Sequence, residues 1–253
     1  MDIAYDDSGT GQAVVLVHGH PFDRTMWRPQ AELFSRTHRV ITPDLRGYGE
    51  SPVVPGKTTL DVFAQDIAGL LDRLGVGRIV LGGLSMGGQI VMEFHRLFPD
   101  RIRGLMLADT FPGADTPAGH KARNDMADRI LREGIEGYAD EVIWKMVAPY
   151  NKHAADHVLG MMRNTSAEGA AAALRGRADR PDYTETLREI AVPTLVVVGR
   201  DDEYTPVSDA QRMHDLIPGS RLVVIEGAAH MPNLERVTEF NEAFRQLLNT
   251  VAA

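Results

Sequence analysis

The chain has 253 residues, 43% of them hydrophobic and 25% charged, which fits a globular protein and excludes a disordered or fibrous one. It has no cysteine, so disulfides, thiolate metal sites and cysteine nucleophiles are excluded. Its 27 basic and 35 acidic residues leave a net charge of -8 and form no dense Lys/Arg block, so a nucleic-acid partner is not expected.

In chain order, the start Met1-Asp2-Ile3-Ala4-Tyr5 has neither a charged n-region nor an apolar core, so no secretory signal is read and a cytoplasmic location is expected. Short β-rich runs follow at 14–18, 39–42, 79–84 and 102–108. Most are continuously apolar, as strands buried on both faces of a parallel sheet must be. Helical patterns alternate with them. Residues 60–74 put Phe63, Ile67, Leu70, Leu71 and Leu74 on one stripe ended by Gly75, and 85–98 stop before Pro99. The stretch 79–92 holds four glycines, Ser85 and Gln89, and is too short and polar for a membrane span. From about 113 to 182 the alternation breaks into helices only, at 122–131, 138–147, 154–163 and 168–175. It resumes with strands at 194–199 and 221–225 and a helix at 237–248. This pattern predicts an α/β fold in which 1–112 and 183–253 form the core and 113–182 an inserted helical cap over the sheet edge where ligands bind.

Gly83-Leu84-Ser85-Met86-Gly87 lies between a predicted strand and a predicted helix. A sharp turn there lifts the serine hydroxyl above the sheet, and side chains two before and two after it would collide with backbone. A serine needs a base. His230 follows the last strand, and the preceding strand ends in a loop with adjacent carboxylates at Asp201 and Asp202. The order serine, acid, histidine is that of one triad class, and each residue follows a strand, so all three can meet on one sheet edge. Only one of two adjacent carboxylates on an extended loop can face the histidine. Asp109, after another strand, is an alternative acid. The loop His18-Gly19-His20-Pro21 predicts an oxyanion site built from the backbone N–H groups of His20 and Met86, each worth about 3–4 kcal/mol in a transition state.

Five ordered motifs carry a resemblance to the α/β-hydrolases. They are His18-Gly19-x-Pro21 with Trp27; Asp44-x-Arg46-Gly47-x-Gly49-x-Ser51; the turn at Ser85; Gly199-x-x-Asp202-x-x-x-Pro206; and Gly227-x-x-His230 with Glu235. Thr165-Ser166-x-Glu168-Gly169, Asp182-Tyr183 and Ile190-x-Val192-Pro193 resemble the 3-oxoadipate enol-lactonase branch. The resemblance implies a mostly parallel sheet of about eight strands with the cap after the sixth. It implies a triad of Ser85, Asp202 and His230, the Gly199–Pro206 spacing selecting Asp202. It implies hydrolysis of a small carboxylic ester through an acyl-enzyme, with a lactone as the alternative substrate and a ligand receptor as the alternative class. No cofactor, metal, nucleic-acid or membrane partner is expected, and a homo-oligomer is left open. His153 and His157, four apart, read as a polar helix face. Trp27, Trp144, Met146 and Met161 are candidate pocket residues, with core packing the alternative. Arg123, Arg129, Arg132, Lys145 and Arg175 read as solvated helix charges.

Overall fold

The computed structural model describes residues 1–252. Its strands are β1 (Tyr5–Ser8), β2 (Ala13–Val17), β3 (Arg39–Pro43), β4 (Ile79–Leu84), β5 (Ile102–Ala108), β6 (Thr194–Gly199) and β7 (Arg221–Ile225). They form one sheet in the order β1-β3-β2-β4-β5-β6-β7. β1 runs antiparallel to β3, and the other neighbours are parallel. The sheet therefore has seven strands among the described residues, not eight, and the helical block follows the fifth strand, not the sixth. The residues ahead of β2 supply one extended run only, because Gly9 and Gly11 turn the chain at positive φ directly after it.

The helices are α1 (Arg28–Phe34), α2 (Leu60–Arg73), α3 (Met86–Leu97), α4 (Pro117–Glu133), α5 (Glu136–Met146), α6 (Lys152–Asn164), α7 (Ala167–Ala178), α8 (Thr184–Arg188), α9 (Val207–Leu216), α10 (Pro232–Glu235) and α11 (Val237–Ala252). Successive strand side chains point to opposite faces. Val15, Val17, Leu81, Leu105, Leu107, Val196 and Val198 pack with Phe63, Ile67 and Leu71 of α2 and Ile90 and Phe94 of α3. Val14, Leu16, Val80, Met106, Leu195 and Val197 pack with Phe34 of α1 and Phe240, Phe244 and Leu248 of α11. Burial on both faces explains why these strands read as apolar runs. No helix among the described residues is long and apolar enough to cross a membrane.

Five helices, α4 to α8, lie between β5 and β6, and the first four of them make up the helical block. Ala127 and Ile130 of α4 pack on Ala170, Ala171 and Leu174 of α7. Ile143 of α5 and Val158 and Met162 of α6 join the apolar cluster that contains Trp27. α7 meets the core backbone to backbone. Thr58 N–H donates to Ala172 O at 3.0 Å, and a Cβ on Gly176 would stand 1.7 Å from Thr58 O. Only glycine fits there. Gly176→Ala should lower the unfolding free energy by about 1–3 kcal/mol through overpacking, read as a lower urea midpoint at unchanged slope.

Candidate active site

The turn after β4 sets Ser85 at φ 58° and ψ -118°, a sparsely populated conformation for a residue with a side chain. Its surroundings hold it. Ser85 N–H donates to Ala108 O at 2.9 Å, and Ser85 O accepts from Thr110 Oγ1 at 2.8 Å and Gln89 N–H at 3.2 Å. A Cβ on Gly83 would stand 2.4 Å from Gly87 C, and one on Gly87 2.3 Å from Val17 O. The two glycines let β4, α3 and the end of β2 close on each other.

The loops after β6 and β7 bring a carboxylate to an imidazole. His230 Nδ1 lies 2.7 Å from Asp202 Oδ2, and both side chains are buried. Asp202 Oδ1 accepts the N–H groups of Tyr204 (2.8 Å) and Thr205 (3.2 Å), and the Thr205 hydroxyl donates to Oδ2. Burial raises the Asp202 pKa, but His230, the Thr205 hydroxyl and the Tyr204 N–H outweigh it and hold the carboxyl below its ordinary value. A carboxylate at Nδ1 selects the tautomer with the proton there and leaves Nε2 as the acceptor. Asp201 points to solvent, where the Tyr150 hydroxyl donates to it.

The loop after β2 closes the third side. His18 Nδ1 donates to Gly19 O at 2.8 Å, and its Nε2 accepts Leu45 N–H at 2.9 Å. That pattern needs the neutral ring, and burial lowers its pKa accordingly. Asp44 fixes the neighbouring loop by accepting Arg24 N–H at 2.8 Å and Glu50 N–H at 2.9 Å. A Cβ on Gly19 would stand 3.1 Å from Ser85 Cβ, so the His18–Pro21 loop lies directly against the serine. Met86 opens α3, and the first N–H groups of a helix have no partner within it.

Ser85, His230 and His20 line one cavity of about 130 Å³. Phe111, Tyr138, Met146 and Leu174 supply its apolar wall, and Arg123 and Arg177 its charged one. His20 Nδ1 lies 2.7 Å from the Tyr48 hydroxyl, and Nε2 is buried without a partner. Burial, then Arg177 and Arg123, push the His20 pKa well down, so the ring is neutral. Of the four candidate pocket side chains, Met146 lines the cavity. Trp27 does not: it is buried against Phe240, with ring centroids 6.1 Å apart. Trp144 is 48% exposed, because two residues along α5 from Met146 points to the other side of the helix. Met161 belongs to the apolar cluster around Trp27.

Asp109 stands behind the pair at φ 44°, buried, with Oδ1 accepting Gly199 N–H at 2.9 Å and Oδ2 without a partner. Ligand-type atoms of Asp109, Asp202 and His230 lie within 4.8 Å of one another. Asp202 already uses both oxygens on His230, Thr205 and Tyr204, so its share of any cation would have to displace those bonds.

The sequence pattern of the alpha/beta hydrolase fold matches residues 12–237. The chain belongs to the α/β-hydrolase family. The structure of a thermophilic esterase from Thermogutta terrifontis, with malate bound, superposes with a TM-score of 0.97 at 42% identity, covering 99% of this chain and 94% of that one. The enol-lactonase from Burkholderia xenovorans LB400 superposes with a TM-score of 0.90 at 26% identity, over 98% of this chain and 96% of that one. The 3-oxoadipate enol-lactonase 1 of Acinetobacter baylyi is 28% identical over 245 residues, 94% of this chain and 89% of the relative.

In this hydrolase, sequence reasoning missed Arg177 and took Arg123 for a solvated charge, yet both line the cavity. α7 runs three residues past the predicted helix end at 175, and its last turns are buried nearly all round. An arginine off the Glu168/Arg175 face of an otherwise Ala/Gly-rich helix was the available signal.

Burial, then the Asp202 charge, raises the Asp109 pKa well above the ordinary carboxyl value of 3.8. With the folded-state pKa above the unfolded one, the stability this carboxyl contributes is complete below about pH 3.8 and is lost as pH rises through the folded pKa. Asp109→Asn, a neutral isostere that can still accept from Gly199, should therefore gain stability over the parent as pH rises from 3 to 7. Urea unfolding at a series of pH values checks this; a gain that shrinks with pH contradicts a neutral Asp109.

Proposed function

We propose that this hydrolase cleaves small carboxylic esters or lactones through an acyl-enzyme on Ser85, with His230 as general base and Asp202 as the acid that orients it. The observation that carries the reading is a single cavity lined by Ser85 and His230, with the far nitrogen of His230 bound to the buried, ionised Asp202. The similarity to an esterase and to enol-lactonases supports the same reaction class. Ser85 Oγ attacks the carbonyl carbon while His230 Nε2 takes its proton. The tetrahedral oxyanion accepts the backbone N–H groups of His20 and Met86. His230 returns the proton to the leaving alkoxide as the C–O bond breaks, and a water activated by the same imidazole releases the acid. Asp202 keeps the ring in the needed tautomer and balances the imidazolium. A lactone follows the same steps, its leaving alkoxide still tethered to the acyl group.

Residues 113–182 act as the cap in this reading. Met146 and Tyr138 of α5 and Leu174 of α7 close the cavity from above, and its volume of about 130 Å³ suits a short acyl chain. No step calls for a metal or cofactor, and a cytoplasmic location belongs to the same reading.

Steady turnover of a short p-nitrophenyl ester is expected; a single slow burst would instead indicate a ligand receptor. Ser85→Ala should reduce turnover by about 10⁶ with the fold intact. Asp202→Asn should cost about 10⁴, since the amide can stabilise the wrong imidazole tautomer. Asp201→Asn should cost less than about tenfold, as an exposed substitution with no bond to His230. Rates on one ester, with circular dichroism to verify folding, decide the assignment. A dead Asp201→Asn beside an active Asp202→Asn contradicts it.

A further inference from the structure

Arg177 is buried and lines the cavity that holds Ser85 and His230. Its Nε donates to Gln89 Oε1 at 2.7 Å, a neutral acceptor, and no carboxylate among the described residues pairs with it. The two guanidinium groups nearest in charge, Arg123 and Arg180, share the single carboxylate of Asp115, at 2.5 and 2.9 Å. Three cations thus face one anion. Burial, then the charges of Arg123 and Arg180, drive the Arg177 pKa well below its ordinary range, and the one nearby carboxylate, Asp115, does not offset them. Gln89 lies one turn beyond Ser85 on α3, and its Nε2 is buried without a partner, a second unmet donor on the residue that holds Arg177. Carrying a buried, unpaired arginine is unfavourable for the folded protein unless an anion compensates it.

We infer that the anion is a carboxylate of the substrate: the enzyme takes half-esters of short dicarboxylic acids, with Arg177 holding the free carboxylate while Ser85 attacks the ester carbonyl. This inference rests on the serine-hydrolase reading and adds the acyl specificity. The planar guanidinium fork matches a carboxylate in a way an ammonium does not. The Gln89 bond ties that fork to the helix that begins at the nucleophile, so the reach from carboxylate to ester carbonyl is set by one rigid turn. The cavity volume restricts the spacer to a few carbons. The released product is then a free dicarboxylate, which occupies the same fork.

The test compares mono-p-nitrophenyl glutarate with p-nitrophenyl pentanoate, which match in acyl length and differ in the terminal carboxylate. The parent enzyme should favour the charged ester by about tenfold to a hundredfold in kcat/KM, the range of one charge-assisted hydrogen-bonded contact. Arg177→Gln should erase that ratio and Arg177→Lys should restore part of it. Glutarate should inhibit hydrolysis of the pentanoate ester competitively and more tightly than pentanoate does, a measurement on the parent that needs no variant to fold. Turnover of both esters without a preference, or a preference that survives Arg177→Gln, overturns the carboxylate subsite and leaves the serine hydrolase standing. Turnover of neither ester overturns both.

Discussion

Four donors converge on one buried carboxylate, and the relation between the cap and the reacting edge of the sheet follows from it. Glu235 Oε1 accepts Ala229 N–H at 2.9 Å and Met231 N–H at 3.1 Å, the residues on either side of His230. Glu235 Oε2 accepts Ala148 N–H and Asn151 Nδ2, each at 2.8 Å, from the link between α5 and α6. No guanidinium or ammonium pairs with this carboxylate among the described residues; four oriented dipoles balance it instead. The loop that carries the imidazole and the helices that roof the cavity are therefore fastened to one rigid point. Asn151 Nδ2 also donates to Gly227 O at 2.8 Å, which extends the same anchor to the end of β7.

The rest of the site is a solution to a crowding problem at the sheet edge. A parallel sheet presents the C-terminal ends of its strands side by side, and here six of them, β2 to β7, deliver a functional or supporting residue. The most crowded point is the turn at Ser85, held in a conformation that costs about 1–3 kcal/mol. It is tolerable because the bonds to Ala108, Thr110 and Gln89 over-determine it and glycines on both sides remove the side chains that would block it. Crowding has a second consequence at Asp109 and Asp202. Two carboxyls this close in a buried site cannot both ionise, and the one with the imidazole and three donors keeps the charge.

Much of this was legible in the sequence, for reasons that can be read residue by residue. β4 and β5 showed their full extent because Ile79–Leu84 is buried and free of polar side chains throughout, and Ile102–Ala108 is so except at Arg103 near its start. β1 did not show, because Tyr5–Ser8 is exposed and polar and becomes a strand only by pairing with β3. The choice of Asp202 over Asp201 was a matter of spacing to Gly199 and Pro206, and the structure turns the first inward to His230 and the second outward to Tyr150. The pocket wall was the least readable part. Trp27 and Trp144 are large and apolar, which marks them for contact with something, but helix direction and neighbouring layers decide whether that is ligand, core or solvent. Arg177 and Arg123 show the converse. A charged residue on a helix reads as solvated until the packing of a second helix and a loop encloses it.

The contact between α7 and the core has a bearing on how such a pocket can change. Gly169 and Gly176, two turns apart, let the helix lie against the backbone at Gly47 and Thr58 with no side chain between. A helix seated in that way cannot be retreated by trimming a residue, since there is nothing to trim, and cannot be pushed outward without breaking main-chain contact. Arg177 is carried on this immovable wall, while Tyr138 and Met146 come from α5, which meets its neighbours through side chains that can be exchanged. Divergence or engineering of acyl-chain length therefore has an open direction through α5, and the charged end of the cavity stays as a fixed datum against which any new substrate is measured.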